Sequence, residues 1–121
     1  MKPKVTSLEM SKKFKELGLK QESLWCWKKW PVDNSWMLVK YSKKSLYGDY
    51  FLKETFSAYT LDELIDICGE RFWKLLKIKK NSWEAMSDIG NKEQGITYGK
   101  TPIEAVGNLV IKLIEKGLIK V

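Results

Sequence analysis

The sequence offers few residue types that could carry out a reaction. It contains no histidine, which excludes Ser-His-Asp and Cys-His nucleophiles, histidine-ligated zinc and an imidazole general base. Asp62, Glu63 and Asp66 cluster at a predicted helix start, where negative charge complements the helix dipole. Cys26 stands close to Lys28, which could lower the pKa of its thiol, but no base accompanies it. We therefore expect a protein that is not an enzyme and that uses no metal or cofactor.

Tryptophan and lysine give the strongest binding signal. Four of the six tryptophans fall between positions 25 and 36, in a segment that also contains lysines. Exposed indoles beside lysines suit a protein interface and equally suit single-stranded nucleic acid, whose bases stack on aromatic rings. The same indoles could instead be core residues of a small domain. The candidate partner-binding residues are Trp25, Trp27, Lys28, Lys29, Trp30, Trp36, Lys40, Lys43 and Lys44.

The basic charge has two interpretations. The net charge is +7, and all but one of the 22 basic residues are lysine, the exception being Arg71. Clustered cations favour nucleic-acid binding, but arginine is the residue that makes bidentate contacts with phosphate and guanine. An excess of lysine can also reflect an AT-rich genome, which would leave the lysines as solvated surface residues. We therefore expect a protein partner ahead of nucleic acid.

Length and composition indicate a single globular domain. The chain has 121 residues, of which 44% are hydrophobic and 31% are charged. No apolar run approaches the roughly 20 residues that span a bilayer, and the N-terminus has no secretion signal, so we expect a cytoplasmic protein without a membrane partner. Cys26 and Cys68 suit a reducing compartment as free, buried thiols, although they could form a disulfide if the fold brought them together.

Three helices are predicted from capping signals and apolar spacing. Thr6, Thr60 and Thr101 are each followed three residues later by glutamate, which is the spacing of a capping box. Pro102 strengthens the third signal because proline suits the first helical position. The predicted helices cover residues 7–17, 61–68 and 102–116. The last of them has a buried stripe formed by Val106, Leu109, Val110, Leu113 and Ile114.

Strands are predicted from aromatic and β-branched segments. Residues 24–30 and 36–41 flank a turn-forming segment and predict a β-hairpin. Alternation places Leu24, Cys26 and Trp30 on one face and Trp25 and Trp27 on the other, so at least one indole should be exposed unless both faces are covered. Residues 42–59 could hold a strand near 50–56 or a long loop. Further strands are predicted over residues 71–79, 82–88 and 95–99.

This order of elements predicts an α+β fold. We expect a two-layer domain, with a mostly antiparallel sheet and amphipathic helices packed on one of its faces.

Parts of the sequence resemble two known protein families. The segments Glu16-Leu-Gly-Leu-Lys-Gln-Glu-Ser-Leu-Trp25 and Tyr98-Gly-Lys-Thr-Pro-Ile-Glu-Ala105 resemble a family of small bacteriophage and prophage proteins. That family has no assigned activity, so the resemblance implies a phage or prophage setting within a bacterial host cell and little chemistry. Together with the tryptophan and lysine signal, it leads us to expect an accessory protein that binds a host or phage protein. A counter-defence inhibitor would be one form.

Residues 74–116 resemble the dsRBD-like fold of HicB-type antitoxins. The matching residues are Gly99, Thr101, Glu104, Ala105 and Asn108. This resemblance implies an antitoxin as an alternative function.

Overall fold

The computed structural model describes residues 4–30, 32–40, 55–90 and 93–119. Within these ranges the chain has three α-helices and six β-strands, so the predicted α+β class is confirmed. The strands form two three-stranded sheets in which every pairing is antiparallel. The sequence pattern predicts one sheet instead, because alternation identifies strands without showing which of them pair. The chain divides into two compact units, Ser7–Tyr59 and Met1–Thr6 with Thr60–Val121. We call them the hairpin unit and the C-terminal unit.

The hairpin unit contains helix α1 and a sheet with the strand order β2-β1-β3. Its elements are α1 (Leu8–Glu16), β1 (Trp25–Lys29), β2 (Trp36–Lys40) and β3 (Thr55–Ala58). The N-cap of α1 is Ser7, whose hydroxyl accepts a hydrogen bond from the Met10 N–H at 3.2 Å. The predicted cap at Thr6 is therefore wrong by one residue, since two adjacent hydroxyl side chains offer the same capping chemistry.

The predicted hairpin is formed by β1 and β2. The Trp30 N–H donates to the Ser35 carbonyl at 2.7 Å, and Asn34 has a φ of 60°, which its turn position requires. Strand β3 pairs with the other side of β1, so β1 is the central strand. Of the predicted alternatives for residues 42–59, the structure has a strand at Thr55–Ala58, while residues 41–54 lie outside the described residues.

The C-terminal unit contains a second sheet and two helices. Its elements are α2 (Leu61–Cys68), β4 (Phe72–Lys79), β5 (Ser82–Asp88), β6 (Gln94–Gly99) and α3 (Pro102–Glu115), with the strand order β4-β5-β6. Each of these elements lies within one residue of its predicted bounds. Helix α3 packs on β5, β6 and α2. Both halves of the predicted capping box of α2 form: the Glu63 N–H donates to the Thr60 hydroxyl and the Thr60 N–H to the Glu63 carboxylate.

The buried stripe of α3 forms the core of this unit. Val106, Leu109, Val110 and Leu113 are fully buried, whereas Ile114, which belongs to the same predicted stripe, is half-buried. The helix begins at its predicted cap, where the Thr101 hydroxyl accepts a hydrogen bond from the Glu104 N–H at 3.1 Å. After the helix, the Leu118 N–H donates to the Leu113 carbonyl at 2.9 Å, which fixes the tail.

Close packing of α3 on β6 depends on Gly99. A Cβ atom at this position would lie 2.4 Å from the backbone nitrogen of Ala105 and 2.8 Å from the carbonyl carbon of Glu104. Two side chains hold the same junction, because the Thr97 hydroxyl donates to the Ala105 carbonyl and the Asn108 amide donates to the Tyr98 carbonyl. Glycine, threonine and asparagine at these positions therefore set the distance between the helix and the strand.

We expect Gly99→Ala to lower the free energy of unfolding by about 1–3 kcal/mol, because the new methyl group meets the backbone of α3, which cannot rotate away. Urea denaturation followed by tryptophan fluorescence measures this loss. Gly95→Ala in the same strand is the control, since the three atoms nearest to its Cβ would be side-chain atoms of Ile89 and Ser87 and not backbone atoms of α3. An equal loss in both variants would contradict the role given to Gly99.

Candidate partner-binding surfaces

Three of the four predicted tryptophans, Trp25, Trp27 and Trp36, lie on one face of the hairpin-unit sheet. Residues that pair directly across antiparallel strands point to the same side, so the register defines the faces. Trp25 pairs with Lys40 and Lys29 pairs with Trp36, and all four side chains share a face with Trp27. The structure therefore brings together five of the nine predicted residues. Lys43 and Lys44 lie outside the described residues.

Exposure differs among these indoles. Trp25, Trp27 and Trp36 are half-buried, whereas Trp30 exposes 47% of its surface. The Lys12 amine of α1 lies 5.1 Å from the ring centroid of Trp36, within the range of a cation–π contact. The Lys15 amine lies 5.1 Å from the ring centroid of Phe56, which also contacts Trp36. Part of this aromatic face therefore binds the protein's own lysines.

The opposite face of this sheet carries Cys26 and Lys28. Cys26 is buried, whereas Leu24 and Trp30 are exposed and lie outside the strand. Of the three residues predicted to share one strand face, only Cys26 therefore lies in the strand. The reason is that β1 is only five residues long, from Trp25 to Lys29, so the alternation does not extend to either residue.

Both cysteines are free and buried, which confirms one of the two predicted alternatives. Burial raises the pKa of the Cys26 thiol, and the nearby Lys28 ammonium lowers it by a smaller amount. Burial alone raises the pKa of Cys68 to about 12. Neither thiol is an activated nucleophile, because a thiol reacts as its thiolate.

We expect the Cys68 thiol of the folded Cys26→Ala variant to react with iodoacetamide at least about tenfold more slowly at pH 8 than in urea, because burial raises its pKa to about 12 and lowers the thiolate fraction. Ionisation of Cys68 leaves the free energy of unfolding unchanged below pH 9. It lowers the free energy of unfolding as the pH rises from 9 towards 12, because in this range the thiol ionises in the unfolded chain but stays neutral in the folded one. Mass spectrometry of quenched samples measures the rate. Equal rates in the folded and unfolded protein would contradict the burial of Cys68.

A second exposed surface, which the sequence analysis does not single out, lies on strand β4. Six of the eight residues of this strand are exposed, and three of the six are large apolar side chains. We call these six residues the β4 surface. They are Trp73, Lys74, Leu76, Lys77, Ile78 and Lys79. The sequence contains a signal for this surface, because residues 72–80 consist only of apolar residues and lysine, with no acidic residue.

The register extends this surface across the sheet. Leu76 pairs with Glu84, and Glu84 pairs with Tyr98, so these three side chains form one row. Helix α3 lies on the other face, where Gly99 and Thr97 contact it. Leu76 and Tyr98 are exposed by 44% and 58%. The face opposite α3 thus presents an aliphatic and an aromatic side chain on either side of one carboxylate.

The cavities of the C-terminal unit contain groups with structural roles. One cavity of about 630 Å³ is lined by Thr60 and Thr101, whose hydroxyls cap α2 and α3. Another, of about 480 Å³, contains Cys68 and the Arg71–Asp88 ion pair, whose charged atoms are 3.9 Å apart. Among the described residues, no three cysteine or carboxylate side chains are grouped as metal ligands.

None of the helices in the described ranges is long and apolar enough to cross a membrane.

Comparison with known proteins gives no family for the chain. No family model matches it, no curated protein matches its sequence, and no solved structure matches its fold. The resemblances to phage proteins and to HicB-type antitoxins therefore stay predictions. Four of the residues behind the antitoxin resemblance have structural roles at the junction between β6 and α3. These residues are Gly99, Thr101, Ala105 and Asn108.

Proposed function

We propose that this protein acts by binding a protein partner through the β4 surface. The observation that carries the proposal is that Trp73, Leu76 and Ile78 are all exposed on one strand. Clustered apolar side chains surrounded by polar residues are typical of interaction sites, and tryptophan is a favoured anchor in protein interfaces. A counter-defence inhibitor that occupies a nuclease or effector surface would be one form of such a binder.

The side chains of the β4 surface suit a protein better than they suit nucleic acid. Leu76 and Ile78 have no ring on which a base could stack, and they bury apolar surface only against apolar groups. The cations of this surface are Lys74, Lys77 and Lys79, which provide point charges without the bidentate geometry of arginine. Trp73 is the one aromatic residue among the six residues of the β4 surface.

The hairpin unit supports a second candidate function, the binding of single-stranded nucleic acid. Trp30 is exposed, and Lys28 and Lys29 precede it directly. An indole next to cations can stack on a base while the lysines contact phosphates. We rank this function second because α1 lysines already lie over the rings of Trp36 and Phe56.

A photoreactive amino acid at position 76 tests the protein-binding proposal directly. We expect it to crosslink one protein of defined mass in the producing cells, which is then purified and bound in vitro by the unmodified chain. The same amino acid at position 115, an exposed residue of α3, is the control and should give no adduct. An adduct at position 76 that nuclease removes would overturn the proposal in favour of nucleic acid.

A titration with mixed-sequence oligonucleotides separates the two candidates by their salt dependence. Nucleic-acid binding would quench tryptophan fluorescence with a log–log salt slope of about −0.7 per phosphate neutralised. Under the protein-binding proposal we expect no quenching at physiological salt. Tight, salt-sensitive quenching that Lys28→Glu with Lys29→Glu weakens would instead establish the second candidate at the hairpin.

A further inference from the structure

We infer that the partner contributes an extended acidic segment that pairs with β4 and adds a fourth strand to the sheet. This inference rests on the proposed protein-binding function and specifies how the partner is held. Strand β4 lies at the edge of the β4-β5-β6 sheet. Alternate residues of an edge strand direct their N–H and C=O groups away from the sheet, where they can pair with another chain.

The other sheet edges for which contacts are described differ from β4. At β3, the Lys15 amine donates to the Thr55 carbonyl, and the Ser57 N–H donates to the Gln21 side chain. At β6, the Asn108 amide donates to the Tyr98 carbonyl. For residues 73–79 of β4, the described part of the chain provides no hydrogen bond besides those to β5. Among the described residues, the edge of β4 is therefore open to an added strand.

Charge selects the kind of segment that would bind there. Lys74, Lys77 and Lys79 are exposed along the strand, Lys80 follows them, and the strand has no acidic residue. Lys77 is 5.9 Å from the ring centroid of Trp83, which holds its cation on the sheet. Opposite charges on neighbouring strands stabilise their pairing, whereas like charges oppose it. Lys74 and Lys79 pair with Met86 and Ser82, so they share the face that carries Leu76, whereas Lys77 lies on the other face. A segment that alternates acidic and apolar residues would place its acidic side chains beside Lys74 and Lys79 on one face.

The same charges oppose pairing between two copies of this chain. Antiparallel pairing of β4 with itself would place lysines of one copy beside lysines of the other, and each chain has a net charge of +7. Lysines in an edge strand are a common protection against such self-association. They leave the edge open to an acidic partner.

Blocked ten-residue peptides test the edge pairing. The probe is a peptide of alternating glutamate and valine, and the control is the same peptide with lysine in place of glutamate. We expect the acidic peptide to bind more tightly by about tenfold or more, and to slow amide hydrogen exchange in β4 while leaving β1 and β2 unchanged. N-methylation of the alternate amides that face β4 should weaken binding by about tenfold, whereas methylation of the other amides should not, because only the first set pairs.

Charge-reversal variants give a matched comparison. Lys74→Glu with Lys79→Glu should weaken acidic-peptide binding by about tenfold or more. Lys100→Glu with Lys116→Glu changes the net charge equally at exposed positions outside β4 and should have little effect. Equal weakening by both pairs, absence of peptide binding, or equal binding of both methylated peptides would overturn the edge pairing.

The outcomes separate this inference from the function on which it rests. If the crosslinked partner binds through Trp73 and Leu76 while the acidic peptide does not bind, the protein-binding function stands and the edge pairing is wrong. If an oligonucleotide protects the amides of β4 in place of the acidic peptide, both proposals are wrong.

Discussion

The substitution Phe14→Ala should lower the free energy of unfolding by about 3–5 kcal/mol, the largest effect we expect in the hairpin unit. Phe14 is fully buried, and its ring meets that of Tyr59 edge to face, with centroids 5.5 Å apart. Tyr59 is itself buried, and its hydroxyl donates a hydrogen bond to the Lys20 carbonyl. Removal of the Phe14 ring therefore leaves a cavity beside a side chain that has no freedom to fill it. Chemical denaturation monitored by circular dichroism measures the loss.

Leu17→Ala is the matched control for Phe14→Ala. Leu17 is the C-cap of the same helix and is half-buried, so its truncation leaves a smaller cavity and should cost less. A loss for Leu17→Ala that equals the loss for Phe14→Ala would contradict the greater burial of Phe14.

The second large effect is expected for Leu113→Ala, which should cost about 2–5 kcal/mol. Leu113 is fully buried in α3, and its carbonyl also receives the hydrogen bond that fixes the tail. The neighbouring Ile114 is only half-buried, so Ile114→Ala should cost less. Thr101→Ala removes the cap of the same helix and should cost about 1 kcal/mol. Urea denaturation of the three variants measures the three losses in the free energy of unfolding. A loss near zero for Leu113→Ala would contradict its burial in the core.

Helix boundaries were the most predictable part of the fold because capping depends on neighbouring residues. The Thr60 and Thr101 signals each specify a side chain that satisfies a free N–H three residues later, and both hydrogen bonds form. At the first helix, Ser7 replaces Thr6 as the cap. Local chemistry predicts that a helix starts there but cannot choose between two adjacent hydroxyl side chains.

Strand pairing was less predictable because it depends on contacts distant in sequence. The alternation around Cys26 correctly places it on the strand face opposite Trp25 and Trp27. It does not predict that β3 pairs with the edge of β1 that β2 leaves free. Nor does it predict that the strands divide between two sheets. The single-domain organisation stays a prediction, and we expect Phe14→Ala and Leu113→Ala to shift one common unfolding transition.

The candidate surface was predicted from tryptophan density, which identifies aromatic residues but not their exposure. Trp25, Trp27 and Trp36 are half-buried, and lysines of α1 contact the aromatic cluster that contains Trp36. The β4 surface has one tryptophan and therefore a weaker compositional signal. Its exposure depends on the position of β4 at a sheet edge, and the strand order is a property of the tertiary structure.

The most direct test of the account compares two tryptophans of nearly equal exposure, Trp73 at 45% in the C-terminal unit and Trp30 at 47% in the hairpin unit. The partner that crosslinks to position 76 is purified. Calorimetry then measures its dissociation constant from the unmodified chain, from Trp73→Ala and from Trp30→Ala. We expect Trp73→Ala to weaken binding by about 30-fold, as an interface anchor does, and Trp30→Ala to change it by less than about threefold. A loss of affinity for Trp30→Ala with none for Trp73→Ala would contradict the account and place the partner on the hairpin.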